Sequence, residues 1–295
     1  MKRIIGIDIG RTKCTVVYGY YNEGMVKVLN KLVFLTEADY DTLKQAMERF
    51  DELLDMYDFE AIGIGCRGPV DMHNGILLDP PNMPEWKGLR IKEHFTNRYN
   101  VPCFLNTNSE ISALAELYEY NRKGRDFNSI VFLSLIPEVS AGIVKDKKLF
   151  NAEFPGNIPL LCGTSDINAL ICDIRRSPDS IPEESELRVY IEEPEGITLD
   201  TVLRLAEKGD RYAVTIAEKI GYMIADALTL LDERFSPDAI VLDDFYDRYR
   251  MLLEQFIKKR LSASDKSSGT VFLPPVSREN IIDTGVLINA LPQVH

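Results

Sequence analysis

Close to its start the chain reads Asp8-Ile9-Gly10-Arg11-Thr12, flanked on both sides by apolar runs. Folded as strand, turn and strand, such a segment offers backbone N–H groups and a hydroxyl to phosphate, and its Asp helps to hold a hydrated Mg²⁺. The same residues also make an ordinary β-turn with Asp8 as a surface group. Two adjacent carboxylates, Asp243 and Asp244, suggest acid–base chemistry. Neighbours at a strand end point to opposite faces, however, so a solvated strand terminus or a helix start is the simpler reading. The five cysteines (14, 66, 103, 162 and 172) are scattered without a CxxC pair, and His73 and His94 stand alone. A tetrahedral zinc usually needs four ligands, so no metal site is expected and the thiols read as buried or free in a reducing compartment.

The elements that must carry these residues follow from periodicity. Arg3 to Ile9 and Thr15 to Tyr20 are expected to form a hairpin around a Gly10-centred turn, with a third strand from Val26 to Phe34. Apolar residues at Leu43, Met47, Phe50, Leu53 and Leu54 have helical spacing. The run Ala61 to Gly65 reads as a buried strand, followed by a Pro-dense stretch to Trp86. A helix over 91–99, a strand at VPCFLN and a helix over 109–120 close a first unit. The second unit opens with the strands SIVFLSL and AGIVKDKKLF. Helices are expected over 166–175, 198–207 and 210–235, then a strand AIVLDD, a helix over 246–261, a strand TVFLP and a last helix over 284–291. Strands first and helices later, twice over, indicate two α/β lobes, with 119–126 as the connection.

Composition narrows the function. Hydrophobic residues make up 45% and charged residues 27%, ordinary values for a soluble globular chain. Asp and Glu outnumber Lys and Arg by 46 to 34, a formal charge of -12, which works against nucleic-acid binding by the chain alone. No stretch approaches the roughly 20 apolar residues of a membrane span, and the first apolar run contains an Asp, so the expectation is a cytoplasmic protein.

Several blocks, in order and at the right separations, resemble the ROK family of repressors and sugar kinases. IIGIDIGRTK (4–13) is similar to the family's DxGGT phosphate hairpin. GIGCRGPVD, DPPNMPEW and VPCFLNTNSEISALAE look like its GIGxPGPVD, PNLPGW and PVxxxNDANxAAxxE blocks. Weaker matches follow at SLxxxxxAGIV, AEKGDRYA and DAIVL, so the resemblance spans about 1–290. It implies an α/β, two-lobed actin/hexokinase-like (ribonuclease H-like) fold with ATP and sugar meeting in the cleft. The implied lobes are 1–118, completed by about 280–295, and 119–279.

Against that pattern the site residues depart one after another. Asp8, Gly10 and Thr12 are retained, but Arg11 replaces a usual second glycine; it can pair with phosphate while its bulk works against close backbone approach. The family's NDAN places an Asp where this chain has Thr107, a hydroxyl that cannot accept a proton at neutral pH, and losing such a base typically costs ~10²–10⁴-fold. Glu110, three residues on, reads as a carboxylate opening a helix. The second phosphate loop, GTGIGAGIV in the family, is IPEVSAGIV here, so Pro137 removes a donor and Glu138 adds negative charge. AGExGH aligns with FPGNIPL, putting Asn157 and Leu160 at the sugar-contacting Glu and His, and only Cys162-Gly163 remains of the zinc module. IVLGGG, which seats adenosine, is IVLDDF. What persists is Asn82, Asn106 and Asn157, which can hydrogen-bond a polyol, and Trp86, which either stacks on a ring or belongs to the core.

The expectation is therefore a degenerate ROK protein without kinase activity, cofactor or metal. It would bind a small sugar-like ligand or a protein partner as a regulatory module related to NagC-like regulators, and a homodimer fits that role. Only three residues precede the apolar run at Ile4, so control of DNA would need another chain. The alternatives are an ATP- and Mg²⁺-dependent sugar or amino-sugar kinase with a rearranged site, or a purely structural dimeric module.

Overall fold

The computed structural model describes residues 1–10, 12–35, 40–80, 83–135, 139–150, 167–262, 270–276 and 281–294. By Cα packing the chain divides into two compact units. One comprises Met1–Phe132, Gly142–Gly156 and Val276–His295; the other comprises Leu133–Ala141 and Asn157–Pro275.

The first unit is organised by β1 (Lys2–Ile9), β2 (Lys13–Asn22), β3 (Met25–Leu35), β4 (Ile62–Cys66) and β7 (Cys103–Thr107), in the order β3-β2-β1-β4-β7. β2 runs antiparallel to both β1 and β3, while β1, β4 and β7 are parallel. Every residue of β4 is buried, as expected of a parallel strand covered on both faces. One cover consists of α1 (Tyr40–Leu54) and α2 (Ile91–Tyr99), which complete a core containing Phe50, Phe95 and Ile64. The other is α9 (Ile281–Asn289), packed with α3 (Asn108–Arg122) around Ile4, Ile111 and Val286. At Gly63 a Cβ would lie 2.0 Å from the Val286 carbonyl, so glycine is what lets α9 rest on the sheet. Asn289, fully buried, donates from Nδ2 to the carbonyls of Ile64 (3.2 Å) and Phe104 (3.0 Å), tying that helix to two strands.

A small hairpin, β5 (Val70–Asp71) with β6 (Ile76–Leu77), and a 3-10 turn at Pro84–Trp86 occupy the Pro-dense stretch. The segment 119–126 finishes α3 and turns at Gly124, whose φ of +91° suits glycine.

The second sheet has the order β10-β9-β8-β11-β12, formed by β8 (Ile130–Ser134), β9 (Ser140–Lys145), β10 (Lys148–Leu149), β11 (Ala239–Leu242) and β12 (Val271–Leu273). The helices here are α4 (Ile167–Arg176), α5 (Leu199–Glu207), α6 (Arg211–Phe235), α7 (Asp244–Arg248) and α8 (Arg250–Ser262). Thr198 and Asp210 cap α5 and α6 through their side-chain oxygens. The helix expected over 246–261 is two helices. They part at Tyr249, whose non-helical backbone is held by its hydroxyl donating to Asp200 Oδ1 at 2.7 Å. Three 3-10 turns fill residues 178–196, two of them beginning at Pro178 and Pro194. Among the described residues no helix is long and apolar enough to cross a membrane.

Candidate functional site

In the first unit, the polar residues singled out by the sequence converge where the parallel strands end. β1 carries Asp8, in register with Thr15 on β2 and Gly65 on β4. Beyond it, the Gly10 N–H donates to the Lys13 carbonyl at 3.1 Å, and a Cβ at Gly10 would sit 2.5 Å from that oxygen. Glycine is therefore required by the tight turn, and its N–H is already used inside the hairpin. Thr12 is exposed, and Arg11 lies outside the described residues.

Asp8 is partly buried, and Asn108 Nδ2 reaches its Oδ1 at 3.3 Å. Burial pushes its carboxyl up to about 6; the Asn108 bond opposes this, Asp283 reinforces it, and Lys13 and Lys31 again oppose it. Asp283 is itself buried and pairs with Lys31 Nζ at 2.6 Å. Cys66, at the end of β4, is buried near both Asp8 and Glu110. Burial first, then those two charges, drives its thiol far up, so it stays protonated.

β7 delivers Asn106 and Thr107 to the same end of the sheet. Thr-x-x-Glu starts α3 as a reciprocal capping box. Thr107 Oγ1 accepts from the Glu110 N–H (3.4 Å), and Glu110 Oε2 accepts from the Thr107 N–H (2.8 Å) and hydroxyl (2.7 Å). Glu110 thus opens the helix, with its carboxylate locked in the cap. Burial raises its pKa, against hydrogen bonds from the Thr107 N–H, the Thr107 hydroxyl and Asn106. Asn106 is buried and also points Nδ2 at Met72 Sδ, 3.1 Å away. Among the described residues the buried Oδ1 of Asn108 has no hydrogen-bond partner. Asn108 and Asp283 escaped the sequence reading. The first had a signal in the cap pattern, whereas the second approaches Asp8 only through the packing of α9.

Trp86 does not belong to this polar cluster. It is 1% exposed and sits in the apolar core with Leu77, Met83, Ile91 and Phe95. Of its two readings, the core one holds: neighbouring side chains cover the ring, leaving no face for a sugar. Asn82 and Asn157 lie outside the described residues, as do Ile136 to Glu138 and Cys162.

The second unit holds the other informative residue. Asp243 follows β11 and caps α7, accepting from the Tyr246 N–H at 2.9 Å. Its second oxygen accepts from the Leu135 N–H at 2.7 Å and the Ser134 hydroxyl at 3.0 Å, at the end of β8. The helix-start expectation was right and the solvated one was not: Asp243 is 8% exposed. The Ser134 hydroxyl and the Leu135 N–H, at the end of β8, are thus held by an internal carboxylate.

The fold and these motifs define one class. The ROK family model matches residues 4–156, just over half the chain, and the chain belongs to the ROK family. Among its relatives is a glucokinase of Thermotoga maritima, 21% identical over 258 residues that cover 81% of each chain. A xylose repressor of Bacillus spizizenii is 22% identical over 255 residues, covering 81% of this chain and 63% of the repressor. Among solved structures, a putative N-acetylmannosamine kinase from Listeria monocytogenes superposes with a TM-score of 0.76 at 15% identity, covering 99% of this chain and all of that one. The fold is accordingly the α/β actin/hexokinase-like fold of ROK sugar kinases.

Of the groups compared with those that hold ATP and Mg²⁺ in that fold, Arg11 and residues 136–138 lie outside the described residues, and several of the described ones are already engaged. The Gly10 N–H is used in the turn, the Leu135 N–H and Ser134 hydroxyl serve Asp243, and Thr107 offers a hydroxyl where a base is needed.

Proposed function

We propose that this ROK protein binds a small sugar-like ligand or a protein partner without transferring phosphate, and works as a sensing or regulatory module akin to NagC-like regulators. The observation that carries this reading is Asp243. A buried carboxylate satisfied by the Leu135 N–H, the Ser134 hydroxyl and the Tyr246 N–H leaves a polyphosphate facing negative charge and occupied donors. Phosphoryl transfer rests on positioning and charge stabilisation, so this loss outweighs that of a base alone. A sugar is the ligand class common to the names of the glucokinase and xylose repressor relatives.

The test is calorimetry with Mg²⁺·ATP beside coupled ADP release over a panel of hexoses and amino sugars. No nucleotide heat and no sugar-dependent turnover are expected, while at least one sugar or sugar acid should raise the melting temperature. Turnover near 1 per second, roughly the low end for working enzymes, would overturn the proposal in favour of a rearranged kinase.

A further inference from the structure

The first unit contains a cavity of about 380 Å³ away from the strand-end cluster, and neither the family motifs nor the proposed function accounts for it. Its floor is aliphatic: Leu114 and Leu117 from α3, Ile288 from α9, Leu291 just beyond it, and Val294 from the 3-10 turn Pro292–Val294 that follows. Tyr21, Val26 and Tyr118 form one wall, braced by the Val26 N–H donating to the Tyr118 hydroxyl at 2.9 Å. Asn121 also lines it, but both ends of its amide are taken by the backbone of Phe127.

Among the described residues, the charged ones lining the cavity are Arg122 and Lys147. Arg122 uses Nε on Glu119 at 3.2 Å, which leaves the rest of a five-donor fork. Lys147 has a loose pair with Asp126 at 3.7 Å, both ends well exposed. In a chain of net charge -12, the apolar floor thus lies under a lip of two cations, each with donors left over from its pair with Glu119 or Asp126. That combination complements one ligand chemistry, an apolar body with a single anionic head that the guanidinium fork can grip.

We infer that this cavity is a second ligand site, for a small organic monocarboxylate with an apolar body of roughly eight to ten carbons, a size suited to a cavity at the small end of ligand pockets. A neutral apolar molecule would leave the cationic lip unused, and a short acid would leave the floor empty. α3 and α9, which line the cavity, are also the helices whose first turns bring Asn108 and Asp283 to Asp8, so the two sites share their scaffolding.

Titration of the full chain with octanoate, 1-octanol and acetate tests this, read by calorimetry and thermal shift. Octanoate should bind saturably at one per chain, with 1-octanol about tenfold or more weaker and acetate silent, because hydrogen bonds to a charged group carry the difference. Arg122→Glu, at an exposed rim position, should cost octanoate about tenfold or more and leave 1-octanol unchanged. Val26→Phe should fill the cavity and weaken both. Equal binding of octanol and octanoate, non-saturating binding, or indifference to Arg122→Glu would overturn the assignment. So would loss of a dimer on Val26→Phe in sedimentation, which would make the cavity an interface between copies. Melting of each variant without ligand separates a folding failure from a lost site.

Discussion

If Asp243 is an internal substitute for a bound anion, its removal should be costly and its partial conservation cheap. Asp243→Ala deletes three accepted bonds, from the Leu135 N–H (2.7 Å), the Ser134 hydroxyl (3.0 Å) and the Tyr246 N–H (2.9 Å). Bonds to a charged acceptor are worth ~1.5–3 kcal/mol each, a lost N-cap ~1 kcal/mol, and such values do not add fully within one network. A destabilisation of about 3–5 kcal/mol follows, in the range for breaking a buried network. Asp243→Asn keeps a good N-cap and one acceptor oxygen, so its cost should be about 1–2 kcal/mol. Urea unfolding followed by circular dichroism measures both, and an unchanged slope would place the effect in the folded state. Adding Mg²⁺·ATP to Asp243→Ala should restore no stability, since Pro137 and Glu138 remain in the loop sequence. An alanine variant within about 1 kcal/mol of the parent, smaller than the cost of one charged bond, would refute the reasoning.

Further outcomes can be stated briefly. Asp8→Asn should stabilise the protein at pH 7 by up to about 3 kcal/mol, since a carboxyl raised from 3.8 to about 6 carries a penalty of some 1.36 kcal/mol per pH unit of that rise. The folded pKa lies above the unfolded one, so the gain should be full above pH 6, shrink as pH falls, and vanish below 3.8; a flat profile would contradict it. Thr107→Asp should fold well, because Asp caps helices, yet show no sugar-dependent ATP turnover, because the new carboxylate faces Glu110 and Pro137 and Glu138 remain in the loop sequence. Trp86, at 1% exposure, should emit in the blue, resist iodide quenching and give no shift with sugars; ready quenching would put it in an open site.

How far the sequence could be read depended on the range of the interactions. β1, β2 and the hairpin between them were legible because alternation, an apolar run and a glycine turn are local signals. α2 was read to its ends, Ile91 and Tyr99, for the same reason. The Thr107–Glu110 box was within reach, since Thr-x-x-Glu before an apolar run is its signature, although only the helix-opening role of Glu110 was drawn from it. Asp8 with Asn108 joins positions 100 residues apart, and Asp243 with Leu135 joins positions 108 apart. No local pattern reports such meetings. Trp86 shows the same limit from the apolar side: PNxPxW fits a ring platform or a core plug equally, and only the packing of Phe95 and Ile91 around it decides.

The polar groups of the two units differ in how far they are already satisfied, and that difference bears on what the chain can bind. At the β8–β11 end, the Leu135 N–H, the Ser134 hydroxyl and both Asp243 oxygens are engaged with one another or with Tyr246, so an incoming anion must break bonds before it makes any. At the strand ends of the first unit the balance is reversed. Among the described residues, Asp8 has a single side-chain bond at 3.3 Å and a carboxyl raised by burial, and Asn108 Oδ1 is buried with no partner. Unmade hydrogen bonds of this kind cost the folded state, and a ligand that supplies donors recovers the cost on binding. Both atoms are acceptors, and the charges nearest Asp8 are mixed, with Asp283 on one side of the balance and Lys13 and Lys31 on the other. A neutral polyol brings hydroxyl donors without charge. The unmade hydrogen bonds of the first unit and the satisfied ones at the β8–β11 end are thus the two features that the proposed sugar-binding reading rests on.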